Sequence, residues 1–272
     1  MSSHLPSVIA PLRKLIALLK KSDDIFQNIA IRSMKSLGRS RVPIHPKHLY
    51  DNKRTSILYE QATQFSPGVF VDLGCGSGSD VKKLSLLGWR SIGIDYTEDN
   101  LNSSTRLNDS LDSKTSIFNH NLEFTPYPVE SATAQVVSFI NVIEHLHNRQ
   151  GALQEIHRIL APDGICIISA PNSDTFWKRL QRFVGIDSRD DIDHKIEYTK
   201  SELLNEIDSS NLRLISPLIG TVPSFPFHGI LALTAVIHPT LYRASQKFKY
   251  FLVKCSLVDT VGWIFIVDKK KT

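Results

Sequence analysis

A run of aliphatic and aromatic residues, Val69-Phe-Val-Asp-Leu73, breaks into Gly74-Cys-Gly76-Ser-Gly78, and a helical pattern follows at once from Asp80 to Leu87. Glycines at 74, 76 and 78 let the backbone turn tightly and a ligand approach it closely, and the helix start behind them offers N–H groups to an anion. The spacing also excludes two common readings. A dinucleotide fingerprint needs a third glycine where Ser79 stands, and a Walker loop needs a Lys-Ser/Thr end that this loop lacks.

The same strand-then-helix pattern recurs along the chain. Strands are predicted at Arg90–Asp95, Thr115–Phe118, Gln135–Ile140 and Gly164–Ser169, with helices at Glu98–Leu107 and Arg149–Leu160 between them. Such alternation is satisfied by a mostly parallel sheet covered by helices, with ligands at the carboxyl ends of the strands. Asp95 ends the second strand about twenty residues past the loop, where a carboxylate can accept both hydroxyls of a ribose. Thr199-Lys-Ser-Glu202 reads as a capping box opening a later helix. Strands at Leu212–Ile219 and Val261–Val267 follow.

Several of these segments, in order, resemble the class I S-adenosylmethionine-dependent methyltransferases. Val71-Asp-Leu-Gly-Cys-Gly-Ser-Gly78 is similar to that family's first motif and Ile94-Asp95-Tyr96 to its second. Asn121-Leu122, Val136–Phe139 with Glu144-His145-Leu146, Glu155–Gly164 and Ile168–Asn172 are similar to the later ones, so the resemblance covers about residues 66–215. Its quinone and lipid methyltransferase branch is the nearest in pattern. The resemblance implies an α/β, Rossmann-like three-layer sandwich. Its mostly parallel seven-stranded sheet would have an antiparallel last strand, with N-terminal helices and a helical insert before that strand. It implies S-adenosylmethionine as cofactor. The backbone around Gly74, Cys75 and Gly76 would pass beside the methionine part, and Asp72 would order the loop. Asp95 would hold the ribose and Tyr96 lie beside the adenine. Asn121, where many members have aspartate, with Leu122 and Asn141 completes the expected cofactor-binding set.

The sulfonium of such a cofactor is an activated methyl donor, so the protein has mainly to align an acceptor with it. A base is needed only if the acceptor loses a proton. His145, just past the fourth strand, is the first candidate and His194 the second. Some quinone O-methyltransferases hold a metal with two glutamates and a histidine around the Glu144-His145 position. Asn141 replaces the first glutamate here, so no metal is expected.

The net charge of +5 is unevenly spread. Residues 1–54 carry 11 Lys/Arg against three Asp/Glu, residues 55–241 carry 14 against 22, and residues 242–272 carry seven against two. Basic ends flank an acidic middle, and the partner they suggest is an anionic membrane surface. Nucleic acid is the weaker reading, because the first segment holds only Phe26 and Tyr50 as aromatics and the acidic middle would repel phosphates. The expected partition is a basic helical extension at 1–54, the methyltransferase-like core at 55–219, an apolar helical insert or lid at 220–260, and the last strand with a basic tail at 261–272. The extension is predicted as two short helices, the second running from Asp23-Asp24 to Leu37 and stopped by Gly38, then a polar connector from Arg41 to Lys53.

No apolar run approaches the roughly 20 residues of a membrane span, and the stretch Leu5–Leu19 lacks a signal peptide's pattern. Three cysteines without a CxxC pair suit a reducing, cytoplasmic compartment. The function expected is methyl transfer to a small molecule, lipid-linked or isoprenoid-like, at a membrane surface. A non-catalytic partner subunit with the same fold is the alternative.

Overall fold

The structure is a computed structural model that describes residues 9–39, 46–96, 114–224 and 227–270. Its residues cluster into two compact units. One comprises 55–171, 193–219 and 263–272, and the other comprises 1–54, 172–192 and 220–262.

The first unit is built on a sheet. Strands β1 (Val69–Leu73), β2 (Arg90–Asp95), β3 (Thr115–Asn119), β4 (Ala134–Phe139), β5 (Leu160–Pro171), β6 (Leu212–Leu214) and β8 (Gly262–Lys269) lie in the order β3-β2-β1-β4-β5-β8-β6. A two-residue β7 (Ile219–Gly220) pairs with β8. The pairs from β3 through β5 are parallel, whereas β6 runs antiparallel to β8. The sheet is therefore mostly parallel, as its alternating strands and helices require.

Phe70, Val71 and Leu73 of β1 and Val136, Val137 and Phe139 of β4 are all fully buried. Neighbouring positions in a strand point to opposite faces, so the sheet is covered on both sides. One face packs Val71, Ile94, Val137 and Ile168 with Leu153 and Ile156 of helix α4 (Arg149–Ile159) and Leu203 and Ile207 of helix α6 (Lys200–Ser209). The capping box at α6 forms as predicted: the Thr199 hydroxyl accepts from the Glu202 N–H and Glu202 accepts from the Thr199 N–H at 2.8 Å. Strand β5 begins at Leu160, earlier than the predicted start at Gly164, and contains a bulge where pairing with β4 slips between Ala134↔Leu160 and Val136↔Ile165.

The second unit is helical. Residues 9–36 form one helix, α1 (Ile9–Ser36), rather than two, and it continues through Asp23-Asp24. The Asp23 carboxylate explains this: instead of opening a helix of its own, it accepts from the Gly229 N–H at 2.7 Å, at the start of helix α7 (His228–Ile237). Gly38 ends α1 as expected, at φ +67°, the left-handed region that glycine enters freely. The predicted connector 41–53 contains the start of a helix, α2 (Pro46–Ala62), and the polar stretch after Pro171 contains another, α5 (Phe176–Phe183). Helix α8 (Pro239–Lys254) completes the insert, and Ala30 and Met34 of α1 pack with Ala232 and Ala235 of α7 and Tyr242 of α8. Among the described residues no helix is long and apolar enough to cross a membrane. The helix predicted at Glu98–Leu107 lies outside the described residues.

Candidate active site

At the carboxyl end of β1 the chain turns through Gly74, Gly76 and Gly78, all with positive φ, into helix α3 (Ser79–Leu86). The Gly74 and Cys75 N–H groups donate to the Ile94 carbonyl at 2.8 and 3.1 Å, which ties the loop to the end of β2. Asp95, the last residue of β2, completes the tie. Its Oδ2 accepts from the Gly76 N–H at 2.9 Å and its Oδ1 from the Tyr96 N–H at 2.8 Å. The carboxylate is thus held in one orientation by two backbone N–H groups.

These residues form part of the wall of a cleft of about 600 Å³, all of it within the sheet unit. Of the residues singled out in the sequence, Gly74, Gly76, Asp95, Tyr96, Asn121, Leu122, Asn141 and His145 line it. Asp72 and Cys75 do not. Asp72 is buried within β1, and the Cys75 side chain turns away to fill the space over Gly93, where a Cβ would come within 2.8 Å of its sulfur. Burial pushes the Cys75 thiol well above its ordinary value, with the Asp72 and Asp95 carboxylates adding to the shift, which disfavours the thiolate. The Asn121 amide oxygen already accepts from the Glu123 N–H at 3.0 Å, a turn that fixes which part of the side chain faces the cleft.

The floor past β4 holds the two candidate bases. Asn141 stands at φ +58°, its N–H donating to the Ser169 hydroxyl at 2.9 Å, and the chain then makes a single 3-10 turn at Ile143–His145. This turn places His145 on the cleft. His194 sits behind it, ring edge against ring face, with centroids 5.0 Å apart. The backbone explains the approach: the Lys195 N–H donates to the Glu144 carbonyl at 2.7 Å. His194 Nδ1 lies 3.0 Å from the buried Glu197 carboxylate. Glu197 selects the tautomer with the proton on Nδ1, leaving Nε2 as the basic nitrogen of the neutral ring.

Glu144, His145 and His194 each place one ligand atom within 4.8 Å of the others, so this corner could also close around a divalent cation. Its ligands would differ from the set with a glutamate at 141, because His194 arrives from a later segment.

Glu123, Asp193 and Lys195, also on the wall, were not singled out by the sequence, nor was Glu197 behind it. Burial pushes the Glu123 carboxyl up, but the His147 and Asn148 N–H groups at 2.8 Å outweigh it and hold the group below its ordinary value. Glu197 could have been found by its spacing, three residues after His194.

Comparison with known proteins adds the family. The profile of a methyltransferase domain matches residues 47–216. A probable S-adenosylmethionine-dependent methyltransferase of Mycolicibacterium smegmatis is 29% identical over 140 residues, which cover 51% of this chain and 52% of that protein. A ubiquinone biosynthesis O-methyltransferase of Psychrobacter cryohalolentis is 28% identical over 108 residues, 38% of this chain and 40% of its own length. The chain thus spans about half or less of the length of these curated relatives. Among solved structures, the Burkholderia thailandensis 1,6-didemethyltoxoflavin N1-methyltransferase, crystallised with 1,6-didemethyltoxoflavin and S-adenosylhomocysteine, matches all of this chain and 94% of its own, with a TM-score of 0.52 and 14% identity. That likeness is one of fold.

Proposed function

We propose, from the premise that this chain belongs to the class I S-adenosylmethionine-dependent methyltransferase family, that it transfers the methyl group of S-adenosylmethionine to a small-molecule acceptor bearing a hydroxyl or amine. The observation that carries the proposal is the Asp95 carboxylate, fixed by two backbone N–H groups on the wall of a cleft bounded by the glycine loop. The cleft fits the cofactor in kind. Its volume lies in the range of small-molecule sites, roughly 300–1,000 Å³. A Cβ built on Gly76 meets nothing within 4 Å, so the loop presents bare backbone to open space.

When bound, the cofactor supplies a methyl group already activated for displacement. The chain's own residues do the rest. Asp95 would accept from the ribose hydroxyls, Tyr96 and Leu122 would hold the adenine, and Asn121 would meet its amino group. Gly74, Gly76 and Asn141 would hold the methionine part, while Asp72 and Cys75 shape the loop from inside. Val142 and Leu146 keep water from the acceptor. His145 takes the proton that the acceptor loses as its oxygen or nitrogen gains the methyl group, and the His194–Glu197 pair fixes the His145 ring from behind. The acceptor is lipid-linked or isoprenoid-like, a reading supported by the apolar wall beside His145 and by the basic ends of the chain.

Titration calorimetry with S-adenosylmethionine tests the cofactor site. Asp95→Ala should weaken binding by about 100-fold, since hydrogen bonds to a charged group contribute about 1.5–3 kcal/mol. Unchanged affinity in a folded variant would refute the assignment. The base is tested apart from the cofactor. His145→Gln should lower turnover by about 10²–10⁴-fold with cofactor affinity preserved. Chelator-treated protein should keep its activity, and its loss would favour a cation at Glu144, His145 and His194.

A further inference from the structure

Two helices of the helical unit turn apolar residues outward. On α1, Leu15, Leu18, Ile25 and Ile29 recur at helical spacing and are exposed, Leu18 to 60%. On α8, Leu241, Phe248 and Phe251 do the same, with Phe248 and Phe251 exposed to 59% and 57%. The inner faces are already occupied by the Ala30, Met34, Ala232, Ala235 and Tyr242 cluster, so these stripes are not a misplaced core. Each is bordered on one side by cations in the same register. Lys14, Lys21 and Arg32 run beside the α1 stripe, and Arg243, Lys247 and Lys254 beside the α8 stripe. Helix α8 holds no acidic residue at all.

We infer that these two stripes dock the protein on an anionic phospholipid surface. Leucine, isoleucine and phenylalanine enter the boundary between headgroups and acyl chains, and the bordering lysines and arginines meet the headgroup phosphates. Charge complementarity selects this occupant over others. A second copy would set cation against cation, because residues 242–272 carry seven Lys/Arg against two Asp/Glu. A nucleic acid would satisfy the cations and leave Leu18, Phe248 and Phe251 in water. One weak anchor binds a membrane marginally, whereas two apolar stripes with their cations give stable, reversible attachment. The inference rests on these two helices alone and does not depend on the methyl-transfer reading, although it would bring the enzyme to a lipid-linked acceptor.

Flotation with phosphatidylcholine vesicles, with and without phosphatidylglycerol, tests it on the full chain. The protein should float with the anionic vesicles and stay behind with the neutral ones. Phe248→Ser with Phe251→Ser should reduce binding by about tenfold or more, and Arg243→Glu with Lys247→Glu by a similar factor. These positions are exposed, so thermal melting and affinity for S-adenosylmethionine should match the parent and separate lost docking from lost folding. Failure to float with anionic vesicles overturns the inference. So does loss of binding on charge reversal but not on removal of the phenylalanines, which would mark a purely electrostatic contact. Sedimentation velocity completes the set: a dimer that Phe248→Ser dissolves would assign the stripe to a second copy instead.

Discussion

The sheet unit and the helical unit bury ionisable groups of opposite kinds: carboxylates, Asp72, Asp80, Glu144 and Glu155 among them, in the first, and lysines in the second. In the first, Val71, Leu73, Ile94, Phe139 and Ile168 are fully buried, and Asp95 stands at the strand ends where backbone N–H groups hold it. In the second, Lys178 and Lys249 are only 3% and 1% exposed, while leucines and phenylalanines face outward. Lys178 is paired with Asp190 at 2.7 Å, and Lys249 donates to His228 Nδ1 at 2.9 Å. Burying a charge costs several kcal/mol before its partner offsets it, and the net is often close to zero. The sheet unit thus keeps acids inside, whereas the helical unit keeps lysines inside and turns the apolar stripes of α1 and α8 outward.

Two glycines sharpen the contrast, and both substitutions should have large effects. A Cβ at Gly74 would overlap the Val142 side chain, in a backbone at φ +77°. The strained φ and the overlap together should cost about 2–4 kcal/mol in urea denaturation, and cofactor binding should be lost with it. A Cβ at Gly229 would instead meet the Asp23 carbonyl, where α7 crosses α1. Gly229→Ala should cost about 1–3 kcal/mol and open the helical unit while cofactor affinity is kept. If Gly229→Ala abolished cofactor binding as fully as Gly74→Ala, the two regions would not be energetically separable.

These glycines also show what could be read from the chain. The loop at 74–78 and Asp95 were legible because their signals are local: a strand pattern, glycines where φ is positive, and an acid at the next strand's end. Asp23 misled for the opposite reason. Two acids in a row resemble the first turn of a new helix, yet Asp23 bonds a backbone N–H more than two hundred positions away, which no window can see. Residues 41–53 read as a polar connector, but Pro46 takes the first position of α2, where its missing N–H costs nothing. At the site, His145 could be named from its motif. Its relation to His194 and Glu197 arises only when the loop after α5 folds back onto Glu144.

Lys249 offers a pH test of the buried-charge half of the comparison. Burial lowers its pKa from 10.5 to about 8, partly offset by the Asp23 carboxylate. Below that value the ammonium is protonated in both states, and the folded chain bears the full cost of holding it. Between about 8 and 10.5 the unfolded chain binds more protons, so stability should rise with pH across this window. Lys249→Met should remove that slope and raise stability at pH 7 by about 1–2 kcal/mol, less than the shift alone implies because His228 loses its donor. A melting temperature that is flat with pH in the parent would show that the lysine carries no such penalty.

The smallest effects come from two threonines that begin helices in the two units. Thr199 opens α6 with a complete capping box, and Thr175 opens α5 with a single bond, its hydroxyl accepting from the Lys178 N–H at 3.2 Å. Thr199→Ala should cost about 1 kcal/mol at neutral pH. The Thr199 N–H and hydroxyl hold the Glu202 carboxyl below its ordinary 4.5, so the box is fully present above that value and lost as the pH falls through the lowered one. The deficit of Thr199→Ala should accordingly shrink in acid. Thr175→Ala should cost a similar amount and have no such acid dependence from a box carboxylate. It removes a buried cap from the helix that carries Lys178, so the cost should fall when Lys178 is replaced by Met in the same chain. Strict additivity of Thr175→Ala and Lys178→Met would show that the cap and the buried charge are independent.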